Sequence, residues 1–189
     1  MANFVAVYDA CVLYPAQLRN LLLHLAVSGA FRARWTERIH DEWMRSLLKR
    51  HADLDRSKLE RIRRYMDEAV PDCLVRDYEG IESTLTLPDP DDRHVLAAGI
   101  LCHAGAIVTY NLADFPAEKL APYGMEAQHP DEFITHLFNL SPAVVIEAVR
   151  AHRRSLKNPP KSVDEMFDMY RAFGLATTVA ALEPMQNLV

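Results

Sequence analysis

Four acidic residues could share one site, because each is expected at the same edge of a sheet: Asp9, Glu42, Asp92 and Asp114. The runs 4–8 and 106–109 are short, apolar and partly β-branched, which predicts buried strands. Asp9 and Asp114 follow these strands, and parallel sheets bind ligands at the carboxyl ends of their strands. Asp92 precedes a predicted helix that would start near this edge, and Glu42 would reach in from the middle of another helix. The sequence therefore predicts an acidic pocket.

Such a pocket needs a cation. Two carboxylates about 4 Å apart repel each other by roughly 4 kcal/mol at an effective dielectric constant of 20. Oxygen ligands favour Mg²⁺ or Mn²⁺ over Zn²⁺, and the eight histidines show no H-E-x-x-H spacing, so zinc is the weaker alternative. A bound divalent ion can lower the pKa of a water and stabilise charge on a phosphate. The predicted chemistry is phosphodiester hydrolysis.

Each acid taken alone also has a structural interpretation. Asp91 or Asp92 could cap a helix, Asp9 and Asp114 could close turns through Asx hydrogen bonds, and Glu42 could be an ordinary surface residue. The four positions together favour a site. The sequence contains neither a G-x-S-x-G motif nor a glycine-rich phosphate loop, which disfavours a serine hydrolase or a P-loop enzyme.

The order of the predicted elements indicates an α/β fold. Strands alternate with helices up to about residue 130, which predicts a parallel sheet with right-handed crossovers, and only helices are predicted beyond that point. At 189 residues, half of them apolar, the chain fits one globular domain with an added lobe. We divide it into a sheet domain, residues 1–140, and a helical appendage, residues 141–189.

The net charge of −5 hides a strong segregation of charge along the chain. Residues 45–64 are strongly basic, whereas residues 65–132 are predominantly acidic. One interpretation is two solvated helix faces of opposite sign. The other is a basic rim beside an acidic pocket, as a metal-dependent enzyme acting on a polyanion requires.

The expected location is the cytoplasm. No apolar run approaches the roughly 20 residues of a membrane span. Residues 1–3 lead into a strand without the features of a signal peptide. The three cysteines, Cys11, Cys73 and Cys102, are odd in number and widely spaced, which argues against a disulfide framework or a structural zinc site.

Four segments in this order and spacing resemble the PIN-domain family, and within it the VapC-like toxin ribonucleases of type II toxin-antitoxin systems. They are residues 7–15, Glu42 within its helix, residues 89–98 and residues 109–116. The resemblance covers roughly residues 3 to 135. It implies a PIN-like parallel sheet flanked by helices on both faces, and an endoribonuclease that depends on Mg²⁺ or Mn²⁺.

The resemblance also implies roles for individual residues. Asp9 and Asp92 would be the principal metal ligands, and Glu42 and Asp114 would complete the catalytic pocket. Asn111 and Asp91 would be near neighbours of the metal. Arg45, Lys49 and Arg93, together with the basic helix at 56–64, would hold RNA phosphates.

Partners follow from the same resemblance. VapC-like toxins are usually neutralised by a cognate antitoxin that covers the active site, and they often form homodimers. Two features differ from the family pattern. Cys11 stands where many relatives have Asn, Ser or Thr, and the appendage at 141–189 is longer than in a minimal PIN domain.

The sequence offers two alternative functions. A PIN-like RNA-binding or scaffolding module without catalysis would share the fold, although clustered acids would not help it to bind RNA phosphates. A haloacid-dehalogenase-like phosphatase would need a second aspartate two residues after Asp9. Cys11 occupies that position, which disfavours the phosphatase.

Overall fold

The computed structural model describes residues 4–189 and confirms the α/β fold. Within these residues, four parallel strands form one sheet in the order β2-β1-β3-β4. The strands are β1 (Val5–Tyr8), β2 (Arg32–Arg34), β3 (Ala106–Val108) and β4 (Glu126–Gln128). All four residues of β1 are buried, and successive side chains of a strand point to opposite faces, so helices cover both faces of the sheet.

The helices connect and follow these strands. They are α1 (Ala10–Leu13), α2 (Ala16–Val27), α3 (Glu37–Arg50), α4 (Arg56–Ala69), α5 (Glu79–Glu82), α6 (Arg93–Leu101), α7 (Ala117–Leu120), α8 (Pro130–Leu140), α9 (Pro142–Ser155), α10 (Val163–Ala172) and α11 (Ala176–Leu182). Short 3₁₀ turns precede α6 at Pro90–Asp92 and follow β3 at Leu112–Asp114. No helix in the described part of the chain is long and apolar enough to cross a membrane.

The sequence predicts helix N-caps at Thr36 and Asp55 and a capping box at Ser162 and Glu165, and the structure confirms them. Thr36 accepts a hydrogen bond from the Ile39 amide at the start of α3, and Asp55 accepts one from Ser57 at the start of α4. Ser162 and Glu165 form the predicted capping box of α10. These local contacts fix where α3 and α10 begin, because they satisfy amides that have no partner inside the helix.

Three strand predictions differ from the structure. Strand β4 was not predicted, because its polar sequence lacks the apolar character of an inner strand. The apolar run at 73–75 predicts a strand but contributes only a parallel bridge between Trp35 and Leu74. Residues 85–87, which precede a proline-rich turn, predict a short extended piece but do not pair as a strand. The prediction for residues 1–3, that they lead into β1 without a signal peptide, lies outside the described residues.

The C-terminal helices pack onto the sheet domain. Helix α9 packs against α2 and α8, and α11 packs against α8. The Tyr110 hydroxyl, just after β3, donates a hydrogen bond of 2.8 Å to the carbonyl of Phe173. Asp131 of α8 accepts hydrogen bonds from the Thr177 and Thr178 amides, and so caps α11. The predicted division at 140/141 falls between α8 and α9 and stays a prediction.

Candidate active site

Three of the four predicted acids line one cavity at the carboxyl edge of the sheet. Asp9, Glu42 and Asp92 face a cavity of about 340 Å³, together with Asn111. The rest of the wall comes from α1 and α3, through Ala10, Cys11, Tyr14, Trp43 and Ser46. Asp9 after β1, Asp92 before α6 and Glu42 in the middle of α3 therefore lie at one cavity, as the sequence predicted.

Asp9 is fixed by the end of the sheet. Its amide donates a 3.1 Å hydrogen bond to the carbonyl of Val108, which continues the pairing of β1 with β3. Its side chain is only 4% exposed, and Oδ2 accepts hydrogen bonds from Thr109 Oγ1 at 2.7 Å and from Cys11 Sγ at 3.0 Å. Both contacts end on Oδ2, and no hydrogen bond from residues 4–189 ends on Oδ1. The carboxylate is oriented, and one of its oxygens remains available for a ligand.

Cys11 supplies the small polar contact that its departure from the family pattern left in doubt. Burial and the nearby charge of Asp9 raise the pKa of the Cys11 thiol to about 12. The thiol therefore keeps its proton at neutral pH and can donate it to Asp9. Sγ also accepts a hydrogen bond of 3.2 Å from the Tyr110 amide. Cys11 thus ties the loop after β1 to the loop after β3.

Asp92 experiences the charge of the other acids. It ends the 3₁₀ turn that Asp89 caps through the Asp91 amide, and α6 begins directly after it. Burial, together with the charges of Asp9, Asp89, Asp114 and Glu42, raises the pKa of Asp92 from 3.8 to about 7. Asp114 does not line the cavity, yet its charge acts on Asp92. All four predicted acids therefore contribute to one electrostatic site.

Glu42 has the helix rotation that the site requires. Its Oε1 lies 3.4 Å from Nε of Arg38, one turn earlier in α3, and 3.0 Å from Nε2 of His94 in α6. His94 is fully buried, and neither of its ring nitrogens has a hydrogen-bond partner among residues 4–189, so its approach to Glu42 is close but lacks hydrogen-bond geometry. These two side chains place the carboxylate of Glu42 between α3 and α6.

The remaining predicted residues take different positions. Asn111 lines the cavity, and its amide donates a 2.9 Å hydrogen bond to Thr109 Oγ1. Asp91 is exposed and does not line the cavity; its amide donates to Asp89 as part of the turn. Asp91 therefore has the turn role that the sequence left open for it.

The predicted phosphate-binding residues do not form one group with the acids. Arg93 Nε donates a 2.8 Å hydrogen bond to the carbonyl of Pro90, beside the site. Arg45 lines a separate cavity between α3 and α4, with Asp41 and Arg56. Lys49 is exposed one turn further along α3. Their contacts with RNA stay predictions.

Sequence reasoning missed two side chains that hold the acids, Thr109 and His94. Thr109 could have been found from strand register. Val7 pairs with Ile107, so Asp9 and Thr109, two residues further on each strand, point to the same face of the sheet. His94 lies in α6, and its contact with Glu42 depends on how α3 and α6 pack, which no local pattern encodes.

The oxygen donors suit a hard divalent cation. Within residues 4–189 no group of three or more His, Cys, Asp or Glu side chains is close enough to hold a metal ion by itself. Mg²⁺ is commonly bound through one or two carboxylates, with water and substrate phosphate filling the other positions. A pair of carboxylates with a free oxygen on Asp9 and a raised pKa on Asp92 fits that mode, since a bound cation would offset their repulsion.

Comparisons with known proteins agree with this geometry. A family model described as PIN domain matches residues 5–113, more than half of the chain, and one described as VapC50 C-terminal domain matches residues 130–184. A protein of Mycobacterium tuberculosis (strain ATCC 25618 / H37Rv), named "Putative ribonuclease VapC50", is 43% identical over 65 residues. That alignment covers 32% of this chain and 38% of the relative, and no solved structure matches significantly. The chain belongs to the PIN-domain family and resembles its VapC-like members.

Proposed function

We propose that this protein is a metal-dependent endoribonuclease that hydrolyses RNA phosphodiester bonds. The observation that carries the proposal is the convergence of Asp9, Glu42 and Asp92 on one cavity, with the charge of Asp114 acting on Asp92. A cluster of carboxylates at the carboxyl edge of a parallel sheet is costly without a cation, and it is suited to holding one beside a phosphate.

Each residue has a distinct part in this proposal. Asp9 and Asp92 would hold a Mg²⁺ or Mn²⁺ ion, with Glu42 and Asp114 completing the pocket directly or through water. When bound, the ion supplies a water of lowered pKa and stabilises negative charge on the phosphate. Thr109 and Cys11 orient Asp9 through its Oδ2, and Asn111 offers an amide at the cavity wall.

RNA as the substrate is supported by the name of the Mycobacterium tuberculosis relative, which describes that protein as a ribonuclease. The same name supports a toxin that is neutralised by a cognate antitoxin protein. We extend the proposal to an antitoxin that covers the acidic cavity, to a homodimer and to a cytoplasmic location.

The test is cleavage of a labelled single-stranded RNA by the purified chain, in Mn²⁺ and in EDTA. Asp9→Asn should reduce the Mn²⁺-dependent rate by on the order of 1,000-fold, because it removes a ligand of an ion that supplies several kcal/mol of transition-state stabilisation. Asp53→Asn, which removes an exposed acid before α4, is the matched control and should leave the rate unchanged. Equal cleavage by wild type and Asp9→Asn would reject the acidic cavity as the site of cleavage. No cleavage by wild type would reject the enzyme in favour of a non-catalytic RNA-binding module.

A further inference from the structure

The end of α9 and the loop after it carry unpaired positive charge. Residues 148–163 contain five basic residues and no Asp or Glu: Arg150, Arg153, Arg154, Lys157 and Lys161. Arg150 pairs with Glu147 at 2.8 Å, whereas the other four form no ion pair within the part of the chain that the structure describes; the charge of Lys161 acts on the exposed Glu165 from a greater distance. Arg154 and Lys157 are exposed. This charge is therefore available to an anionic ligand.

The two lysines of this group, Lys157 and Lys161, line a polar cavity against α2. The cavity has a volume of about 380 Å³, and its wall includes Gln17 and Asn20 of α2, Ser155 at the end of α9, and Lys157 and Lys161 of the loop. Nε2 of His152 in α9 lies 3.4 Å from Oε1 of Gln17, which marks how closely the two helices approach here. The wall thus combines two ammonium groups with amide and hydroxyl groups.

The two cavities have lining residues that are close together in the chain. Tyr14 lines the acidic cavity, and Gln17, only three residues further along the chain, lines the basic one. Three residues span at most about 11 Å even when fully extended. A few nucleotides of single-stranded RNA could therefore contact both cavities at once.

We propose that the cavity between α2 and the Lys157–Lys161 loop binds the phosphate backbone of the RNA that the acidic site cuts. The proposal rests on the proposed function and assigns a role to the C-terminal appendage. Lysine, amide and hydroxyl groups are the side chains that contact phosphate and sugar in nucleic-acid complexes. The acidic cavity repels phosphates, so positive charge within reach of it would hold the strand where the acids and their metal can act.

The lining favours RNA over a protein partner. A peptide helix that docks in a groove inserts apolar side chains at intervals of three and four residues, which requires apolar pockets. Here the apolar contribution comes from Leu156 and Pro159, and Leu156 is itself buried. The rest of the wall is polar or positively charged.

The test compares RNA binding by wild type and by the double variant Lys157→Gln/Lys161→Gln. A labelled single-stranded oligouridylate is titrated in EDTA, where it is not cut, at several salt concentrations. Loss of two phosphate contacts should weaken binding about tenfold and reduce the slope of log affinity against log salt by about 1.4, since each contact with a single strand contributes about 0.7. In Mn²⁺, KM should rise by a similar factor with kcat unchanged, because these contacts are the same in the ground and transition states.

Arg32→Gln is the matched control. Arg32 is exposed at the start of β2, at the opposite edge of the sheet, and its loss should change neither affinity nor slope. Lys157→Arg/Lys161→Arg should restore binding because it restores the charge. Thermal unfolding of each variant verifies that the fold is intact.

The outcomes separate this proposal from the proposed function. Unchanged affinity and slope in the double Gln variant of an RNA-cleaving protein would overturn the phosphate site and leave the nuclease in place. If the double Gln variant bound RNA as wild type does but bound an oligoglutamate peptide more weakly, the cavity would belong to an acidic protein partner. That result would also overturn the phosphate site. Lysine-dependent RNA binding by a wild type that does not cleave would support the phosphate site and reject the nuclease.

Discussion

Replacing Asp92 by Asn should stabilise the metal-free protein while it removes metal-dependent activity. The carboxyl of Asp92 has a pKa of about 7 instead of 3.8, because it is partly buried and faces Asp9, Asp89, Asp114 and Glu42. Each unit of pKa corresponds to 1.36 kcal/mol, so the nominal penalty for ionising Asp92 above pH 7 is about 4 kcal/mol. The side chain is only partly buried, and solvent screening reduces this penalty to about 1 to 2 kcal/mol.

The sign of the pH dependence follows from the direction of this shift. The pKa of Asp92 is higher in the folded state than in the unfolded state, so its contribution to stability is fully present below about pH 4. That contribution is lost as the pH rises through 7. Asn cannot ionise, so Asp92→Asn should not lose stability as the pH rises. The difference in free energy of unfolding between variant and wild type should therefore be small at low pH and largest near pH 8.

The assay is thermal unfolding in EDTA at pH 5 and pH 8, and then in Mn²⁺. For a chain of this length, 1 to 2 kcal/mol corresponds to a rise in Tm of roughly 2 to 8 °C for Asp92→Asn at pH 8. Mn²⁺ should raise the Tm of wild type and have little effect on the variant, because a ligand stabilises only the state that binds it. A variant with a lower Tm than wild type at pH 8 would refute the repulsion between Asp92 and the other acids. A rise in Tm with Mn²⁺ as large as that of wild type would refute Asp92 as a metal ligand.

Three further predictions concern the residues that support the site. Thr109→Val removes the hydrogen bond to Asp9, and should cost about 1.5 to 3 kcal/mol of stability in urea unfolding and about tenfold in the cleavage rate. Tyr110→Phe removes the hydrogen bond to the carbonyl of Phe173, and should lower the free energy of unfolding by about 1 kcal/mol. Asp131→Asn weakens the cap of α11 and should cost about 1 kcal/mol near pH 7. Burial alone would raise the pKa of Asp131, but the hydrogen bonds from residues 177 and 178 outweigh it and lower the pKa, so this stability is present above pH 4 and is lost as the pH falls further.

Each of these predictions has a control and an outcome that would contradict it. Thr84→Val removes an exposed hydroxyl and should not affect cleavage; an equal loss in both threonine variants would show that Thr109 does not orient Asp9. Tyr123→Phe, at an exposed tyrosine, should leave the free energy of unfolding unchanged. If Tyr110→Phe also left it unchanged, the hydrogen bond to Phe173 would not hold the loop after β3 against the C-terminal helices. If the loss of stability in Asp131→Asn were the same at every pH, the cap of α11 would not depend on the negative charge of Asp131.

The sequence predicted the parts of the fold that have strong local signals. Strands β1 and β3 are apolar runs, α3 and α10 begin at polar caps, and all were predicted close to their observed bounds. Strand β4 was missed because Glu126, Ala127 and Gln128 form an edge strand whose pairing with β3 comes from tertiary structure. Residues 73–75 show the converse: their apolar composition predicted a strand, but they pair with the sheet only through one bridge.

The candidate site was predicted in its acids but not in their supports. Asp9, Glu42 and Asp92 could be placed because strand ends, helix starts and helix faces follow from the sequence pattern. The hydrogen bond from Thr109 to Asp9 joins residues 100 positions apart, and the contact between Glu42 and His94 depends on the packing of two helices. Such contacts need the three-dimensional fold.

The most direct test of the metal site is an anomalous difference map from a crystal grown with Mn²⁺. We expect a peak in the cavity between Asp9 and Asp92, within ligand distance of at least one carboxylate oxygen of each. Absence of a peak there, while Mn²⁺ supports cleavage of RNA by the same protein, would contradict the assignment of these acids as the metal site.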